Sequence, residues 1–324
     1  MKNQKQVPEA KPLFLERMQE LLKDEKDFKN YLDILKIQPV KSIRCNKLKI
    51  VPEDLKKRLE NRGWKIRQPW KNYSEVMIVE NDLMPGELGR AQEHLLGYYY
   101  IQELASMLPV ITLQPNSENR VLDLCAAPGS KTTQMASEMK NKGVIFANEV
   151  SIGRLRILSS NLERCGVCNA IVTKKDGVAF CNQLKKNDFY FDKILVDAPC
   201  SGEGTLRSSY KTYSMWNIKT IENLPKIQLG LFLSAFNVLE KGGEIIYSTC
   251  THAPEENEGV VNSILEKLGN SIEILDVNLP IKTRQGITEW KKNKYSEKVK
   301  KCARVYPQDN DTEGFFVSKF RRVK

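Results

Sequence analysis

Apolar positions along this chain recur at two different periods. From about residue 120, short apolar runs alternate with segments of helical spacing. RVLDLC (120–125), VIFANEV (144–150), AIVTKKD (170–176), DKILVDAP (192–199) and GGEIIYSTC (242–250) have the length and composition of buried strands. Between them lie KTTQMASEM, IGRLRILSSNLERCG and LPKIQLGLFLSAFNVLE. In the second of these, Ile152, Leu155, Leu158 and Leu162 fall on one helix face. PEENEGVVNSILEKL carries Pro254 and acids in its first turn, which predicts a helix start there. IEILDV and GFFVSKF close the set as strands. Repeated strand–helix alternation predicts an α/β domain with a mostly parallel sheet covered by helices on both faces.

Before about residue 105 the pattern changes. LFLERMQELLKDEKDFKNYLDILK reads as one amphipathic helix, KSIRCNKLKI as a strand, PEDLKKRLENRG as a helix ending at Gly63, and VMIVE as another strand. That order predicts a small α+β module, residues 1–105, packed against a catalytic domain of residues 106–324 with no flexible linker between.

Composition narrows the class. Of the 324 residues 41% are hydrophobic and 28% charged, a globular balance. No apolar run is long enough for a membrane span, and MKNQKQVPEAKP lacks the apolar core of a secretory signal, so a cytoplasmic protein is expected. Eight cysteines without small-domain spacing fit reduced thiols. The net charge of +11 points to a polyanionic partner, and residues 282–324 carry 13 Lys/Arg against 5 Asp/Glu. There Trp290, Tyr295 and Tyr306 stand among lysines, as in a nucleic-acid-facing loop; a solvated loop has the same composition.

Ligands of an open parallel sheet bind beyond the carboxyl ends of its strands. The first such turn, DLCAAPGSKTT, is not a dinucleotide fingerprint, but Ala126, Ala127 and Gly129 let backbone approach a ligand and Pro128 stiffens the loop. Glu149 closes the second strand, where a carboxylate suits a ribose diol; Asp176 and Asp197 close the next two. Three carboxylates repel a phosphate, so a cationic, phosphate-free cofactor is favoured. S-adenosylmethionine is the leading candidate.

Two cysteines also end strands: Cys200 in DAPC and Cys250 in IIYSTC. Adjacent strands bring both to the ligand edge. Cys45, Cys125, Cys181 and Cys302 read as buried fillers, and the Cys165/Cys168 pair, lacking a second Cys or His pair, as packing. C5 of a pyrimidine attacks a methyl sulfonium poorly, whereas a thiolate adding to C6 turns C5 into an enamine carbon. Asp197 suits the N3 edge of such a ring. Release of the C5 proton and of the thiol needs a second acid–base group. His94 and His252 are the only histidines, which leaves a second thiol as the substitute.

DLCAAPGSKTTQMA, DKILVDAPCSGEGTLR, IIYSTCTHAPEENEGVV and RVYPQDNDTEGFFVSKF together resemble the Nol/Nop/Sun (Fmu) family of RNA cytosine-C5 methyltransferases, from about residue 40 to the end. The resemblance implies a class I S-adenosylmethionine-dependent, Rossmann-like domain behind an RRM-like RNA-binding module. It implies that the loop Cys125, Ala126, Ala127, Pro128, Gly129, Ser130 and Lys131 grips the cofactor, with Glu149 on the ribose, Arg154 nearby, Asp176 near the adenine and Asp197 between methionine end and base. It further implies Cys250 as nucleophile, Cys200 as the aid to release, Lys131 beside the base and Arg207 near the RNA or catalytic loop. Ser130 and Gln308 depart from the family pattern, which puts any base contact by Gln308 in doubt. The implied substrate is structured RNA, tRNA before rRNA, and no metal, membrane or obligate protein partner is expected of what should be a monomer. A catalytically silent RNA-binding or ribosome-assembly factor is the alternative of another class. Methylation of an amino group is disfavoured because DAPC is not a (D/N)PP(Y/F) turn, and a DNA C5 enzyme by the absence of an ENV-type glutamate.

Overall fold

The structure, a computed structural model, describes residues 9–324. The reading of the first twelve residues as free of a leader therefore rests largely outside the described residues.

Two helices open the chain, α1 (Pro12–Leu22) and α2 (Glu25–Leu35). The single helix expected here is broken at Lys23, whose φ of 60° leaves the helical region, and Asp24 caps α2 by accepting the Asp27 amide. A four-stranded antiparallel sheet follows: β1 (Lys41–Cys45), α3 (Pro52–Asn61), β2 (Ile66–Arg67), β3 (Val76–Val79), the short helices α4 (Glu87–Arg90) and α5 (Gln92–Leu95), and β4 (Tyr99–Ile101). The strand expected from Lys41 stops at Cys45, because Asn46 turns the chain and accepts the Leu48 amide. Strand order β2-β3-β1-β4 with βαββαβ connectivity gives the small α+β module. One face of this sheet, with Ile43, Cys45, Met77 and Val79, packs on α3 through Leu55 and Leu59. The other, with Val76 and Ile78, is sealed into the core of the following domain.

That domain begins with α6 (Leu108–Leu113) and continues β5 (Arg120–Asp123), α7 (Ser130–Glu138), β6 (Val144–Asn148), α8 (Ile152–Cys165), β7 (Ala170–Thr173), α9 (Gly177–Lys186) and β8 (Phe191–Asp197). Then come α10 (Tyr210–Met215), α11 (Ile218–Phe236), β9 (Leu239–Thr249) and α12 (Glu258–Leu268). The chain closes with β10 (Ile272–Leu275), β11 (Arg284–Gln285), the hairpin β12 (Glu289–Trp290) and β13 (Asn293–Lys294), β14 (Ala303–Val305), α13 (Pro307–Asn310) and β15 (Phe315–Arg322). Strands β9-β8-β5-β6-β7 are parallel, and β15, β14, β11 and β10 extend the β9 edge antiparallel. The sheet is thus more mixed than the alternation alone predicts, since the last strands return without crossover helices.

Side chains alternate across the sheet. Leu122, Ile194, Val196 and Ile245 meet Phe232, Val260 and Ile264 of α11 and α12 on one face. Val121, Ile145, Leu195 and Ile246 meet Leu108, Val110 and Met135 of α6 and α7 on the other. The opening helices pack elsewhere: Phe14, Met18, Tyr31 and Leu35 meet Leu206, Tyr213, Trp216 and Tyr306. Burial of each such side chain contributes about 1.5–3 kcal/mol, more than the ~0–1 kcal/mol of a surface ion pair, so this apolar seam dominates over the Arg284–Asp27 contact beside it. No helix among the described residues is long and apolar enough to cross a membrane.

Candidate active site

Strands β8 and β9 pair in parallel with Asp197 opposite Ser248, so the chain leaving each strand delivers a cysteine to the same place. The sulfurs of Cys200 and Cys250 lie 3.2 Å apart, and the Cys250 amide points at the Cys200 sulfur at 3.4 Å. The hydrogen bond with Cys250 and burial together push the Cys200 thiol well above its ordinary pKa. Asp197 is held from two sides: Ser248 Oγ donates to Oδ1 at 2.7 Å and Lys131 Nζ to Oδ2 at 2.7 Å. Burial works against the Lys131 ammonium, but the Asp197 carboxylate outweighs it and raises its pKa. Lys131 also donates to Ser106 Oγ at 3.2 Å and lies over the Phe315 ring.

The loops that carry the two thiols are clasped by main chain. Gly204 N donates to Cys250 O, and Gly314 N to Gly204 O, each at 2.9 Å. A Cβ on Gly204 would come within 2.2 Å of Gly314 O, which explains a glycine in both segments. PEEN does not begin a helix as expected; each of its acids has a tie instead. Glu255 accepts both guanidinium nitrogens of Arg17 and the Trp290 indole. Burial would raise Glu255, and the Arg17 bonds bring it below its usual value. Glu256 accepts Ser201 N at 3.0 Å and Gln228 Nε2 at 2.8 Å, and burial pushes its pKa up to about 7. Asn257 accepts Thr249 Oγ1 and donates to Thr251 O, after which α12 starts at Glu258.

Two cavities of about 520 Å³ each meet at this point. One lies beyond the parallel strands. Of the residues expected around a cofactor, Cys125, Ala127, Pro128, Glu149, Arg154, Asp176 and Asp197 line it, with Cys200 and Cys250. Ala126, Gly129 and Ser130 do not. Ala126 turns into a small apolar cluster with Ala147 and Leu158. Gly129 makes the turn at φ 104°, and Ser130 offers its carbonyl to buried Arg44 at 2.8 Å. Lys131, one residue into α7, is rotated into the second cavity. Glu149 is buried and fixed by Ser151 N and Arg154, whose other nitrogen reaches Ala127 O at 2.6 Å. Asp176 caps α9 through Ala179 N. Glu149, Asp176 and Asp197 stand against Arg154 on this wall and Lys131 behind it. The wall thus keeps an excess of negative charge and suits a positively charged ligand without phosphate.

The second cavity runs between the N-terminal module and the catalytic domain. It is lined by Val40, Glu103, Ser106, Lys131, Thr205 and Phe315, among others. Asp197, Ala198 and Cys250 border both cavities, whereas Cys200 borders the first alone.

Burial decides between several alternatives that the sequence leaves open. Arg207 lies beside the catalytic loop but is fully buried, donating to the carbonyls of Thr312, Ile37 and Gln38 and pairing with Asp311, so it pins main chain and does not face RNA. Trp290 and Tyr306 are buried and Tyr295 half-buried; Tyr306 stacks on His252 at 5.0 Å. That stretch is no aromatic nucleic-acid face. Gln308 donates to Asp27 on α2 and reaches neither cavity. Cys45, Cys181 and Cys302 are buried fillers, as is Cys165, but Cys125 lines the first cavity and Cys168 is exposed. Ser106, Ser248 and Gln228 were missed, since lone polar residues inside apolar runs carry no spacing signal. Asp123, beneath the cofactor loop, was missed too; burial pushes it up to about 7 while Thr132 donates to it.

Residues 110–321 match the model of 16S rRNA methyltransferase RsmB/F, and residues 11–104 that of the N-terminal domain of 16S rRNA methyltransferase RsmF. The chain belongs to the RsmB/F methyltransferase family. This RsmB/F methyltransferase is 40% identical over 304 residues to the tRNA (cytosine(49)-C(5))-methyltransferase of Pyrococcus abyssi, covering 94% of each chain. It is 38% identical to ribosomal RNA small subunit methyltransferase F of Vibrio parahaemolyticus, covering 98% of its own length and 63% of that relative. A crystal structure of a methyltransferase homolog from Pyrococcus horikoshii superposes with a TM-score of 0.82 at 33% identity, over 96% of this chain and 94% of that one. NSun6 from the same organism, with SFG, gives 0.81 at 25% identity, over 97% and 98%. The enzyme has the fold of S-adenosylmethionine-dependent methyltransferases.

Proposed function

We propose that the enzyme methylates C5 of a cytosine in structured RNA, with S-adenosylmethionine in the first cavity and the target base in the second. One observation carries the assignment of the thiols: Cys250 borders both cavities and Cys200 only the cofactor side. The nucleophile must touch the base, so Cys250 attacks C6. The Cys250 thiol gives up its proton and its sulfur forms the C6–S bond. The ring's electrons shift through C5 toward N3, N3 takes a proton, and Asp197, held by Lys131 and Ser248, accepts that N3–H. S-adenosylmethionine, held along the wall of Cys125, Glu149 and Asp176, would supply an electrophilic methyl group for C5 and leave as S-adenosylhomocysteine. Cleavage of C6–S and loss of the C5 proton to the thiolate left on Cys200 restore the ring, and the proton on N3 leaves to solvent. Cys200, protonated at neutral pH by its raised pKa and 3.2 Å from the leaving sulfur, gives that sulfur a proton. Glu149 is the group for the ribose hydroxyls and Asp176 for the adenine side of the same cavity.

Transfer RNA is favoured over ribosomal RNA, because the match to the tRNA enzyme spans nearly all of both chains. The ribosomal reading is supported by the match of residues 11–104 to the RsmF N-terminal model. Tritiated-methyl incorporation with Cys250→Ala and Cys200→Ala, read on denaturing gels, tests the mechanism. Cys250→Ala is expected to abolish transfer, and Cys200→Ala to accumulate a covalent RNA–protein band. The band in the Cys250 variant instead reverses the roles.

A further inference from the structure

Two carboxylates of the base cavity, Glu103 and Glu313, have no part in that mechanism, and Glu103 is the one whose oxygens are both held by main-chain amides. Glu103 follows β4 and borders the cavity with Ser106, Lys131 and Asp197. Both its oxygens are fixed by main chain: Glu313 N donates to one at 3.0 Å and Ser106 N to the other at 3.1 Å. The cations nearby are engaged elsewhere. Lys131 gives its ammonium to Asp197 and Ser106, and Arg207 gives its guanidinium to Asp311 and three carbonyls. Burial raises the Glu103 pKa, and the amides of Glu313, Ser106 and Ala105 pull it back.

A carboxylate offers about four lone-pair sites, so amides alone leave acceptor capacity on a group that faces the cavity. Burying such a group costs free energy unless a donor completes it. Glu103 is half-buried, and a base seated over it takes away its remaining contact with solvent, so that base has to supply a donor. On the Watson–Crick edge of a pyrimidine, the group at C4 decides: cytosine presents an amino donor, uracil a carbonyl acceptor.

We propose that Glu103 selects cytosine by accepting a hydrogen bond from the 4-amino group of the target base. The inference rests on the cytosine reading above. Its geometry depends on both parts of the molecule, since Ser106 follows the N-terminal module and Glu313 leads into β15. Base choice is therefore set across the domain junction, apart from the thiols that carry out the chemistry.

The test uses the full chain with S-adenosylhomocysteine and an RNA transcript that the wild type methylates. The target position carries cytidine, uridine, the 4-unsubstituted pyrimidin-2-one, or 2′-deoxycytidine, and affinities are read by competition. Wild type is expected to prefer cytidine over uridine and over pyrimidin-2-one by about 10- to 100-fold. Glu103→Gln, whose amide can also donate to a carbonyl, is expected to bring the cytidine/uridine ratio within about threefold of one, by the same principle of donor–acceptor matching. Glu103→Asp retains the charge and is expected to bind cytidine more weakly while still rejecting uridine. Affinity for S-adenosylhomocysteine should be unchanged in both variants. Equal losses on cytidine and uridine in Glu103→Gln overturn the proposal. So does a Glu103 effect that vanishes on 2′-deoxycytidine, which would assign the carboxylate to the ribose. A wild type that transfers methyl to no cytidine overturns the functional reading itself, and the inference with it.

Discussion

The two cavities that meet at Cys250 are of equal volume and opposite construction. The cofactor cavity is walled by the ends of three strands of one parallel sheet, Glu149, Asp176 and Asp197, the first two placed just before α8 and α9. The base cavity is assembled from segments near residues 40, 103, 131, 205, 250 and 315, brought together by packing of two domains. A wall made by one supersecondary pattern depends on local sequence. A wall made by docking depends on every interface that holds the domains in register.

The largest expected effect lies where the walls coincide. Asp197→Asn should lower kcat by about 10³-fold and weaken binding of both ligands, as measured by single-turnover methyl transfer and by titration with each. If only one ligand is affected, the partition between the cavities is drawn in the wrong place. Lys131→Met, next in size, should cost about 10- to 100-fold in kcat by removing a charged hydrogen bond. Its affinity for S-adenosylhomocysteine should stay within twofold by the same reasoning, since Lys131 borders only the base cavity. Glu149→Gln should do the reverse, weakening the cofactor about tenfold by calorimetry while leaving RNA affinity alone.

The smallest effect concerns His252, which stacks behind the Cys250 loop and belongs to neither wall. Burial, with Arg304 and Arg284 adding to it, depresses its pKa to about 3 from an ordinary 6.5. Between these values the unfolded chain binds a proton that the folded chain refuses, so stability falls as pH drops from 6.5 toward 3. His252→Phe should flatten the Tm-versus-pH profile in that window. An unchanged profile would show that other groups set the acid response.

The difference in construction also explains what the sequence could reveal. Acids closing β6, β8 and the turn after β7 are visible because a parallel sheet puts strand ends on one edge. The two thiols follow by the same rule. The sequence left Arg207 between RNA and the catalytic loop, and Trp290 and Tyr306 between a nucleic-acid face and a solvated loop, because residue type alone does not distinguish a buried guanidinium or ring from an exposed one. Their partners, Thr312, Glu255 and His252, lie far away in sequence. The break at Lys23 was hidden by an amphipathic pattern that runs through it, although Asp24 three residues before Asp27 is the kind of cap that ends such runs. The packing of the N-terminal module against the catalytic domain was expected, but which sheet face makes it has no local signal. Val76 and Ile78 on that face are already buried in the catalytic domain.

Among the described residues, Asp197, Ala198 and Cys250 alone border both cavities. Each ligand, once seated, becomes part of the other's floor. Their affinities are then thermodynamically linked, and whatever factor a cofactor analogue adds to RNA binding, the RNA must return to the analogue. Such heterotropic coupling needs no hinge and no lid. It follows from a partition that is one residue thick and three residues wide.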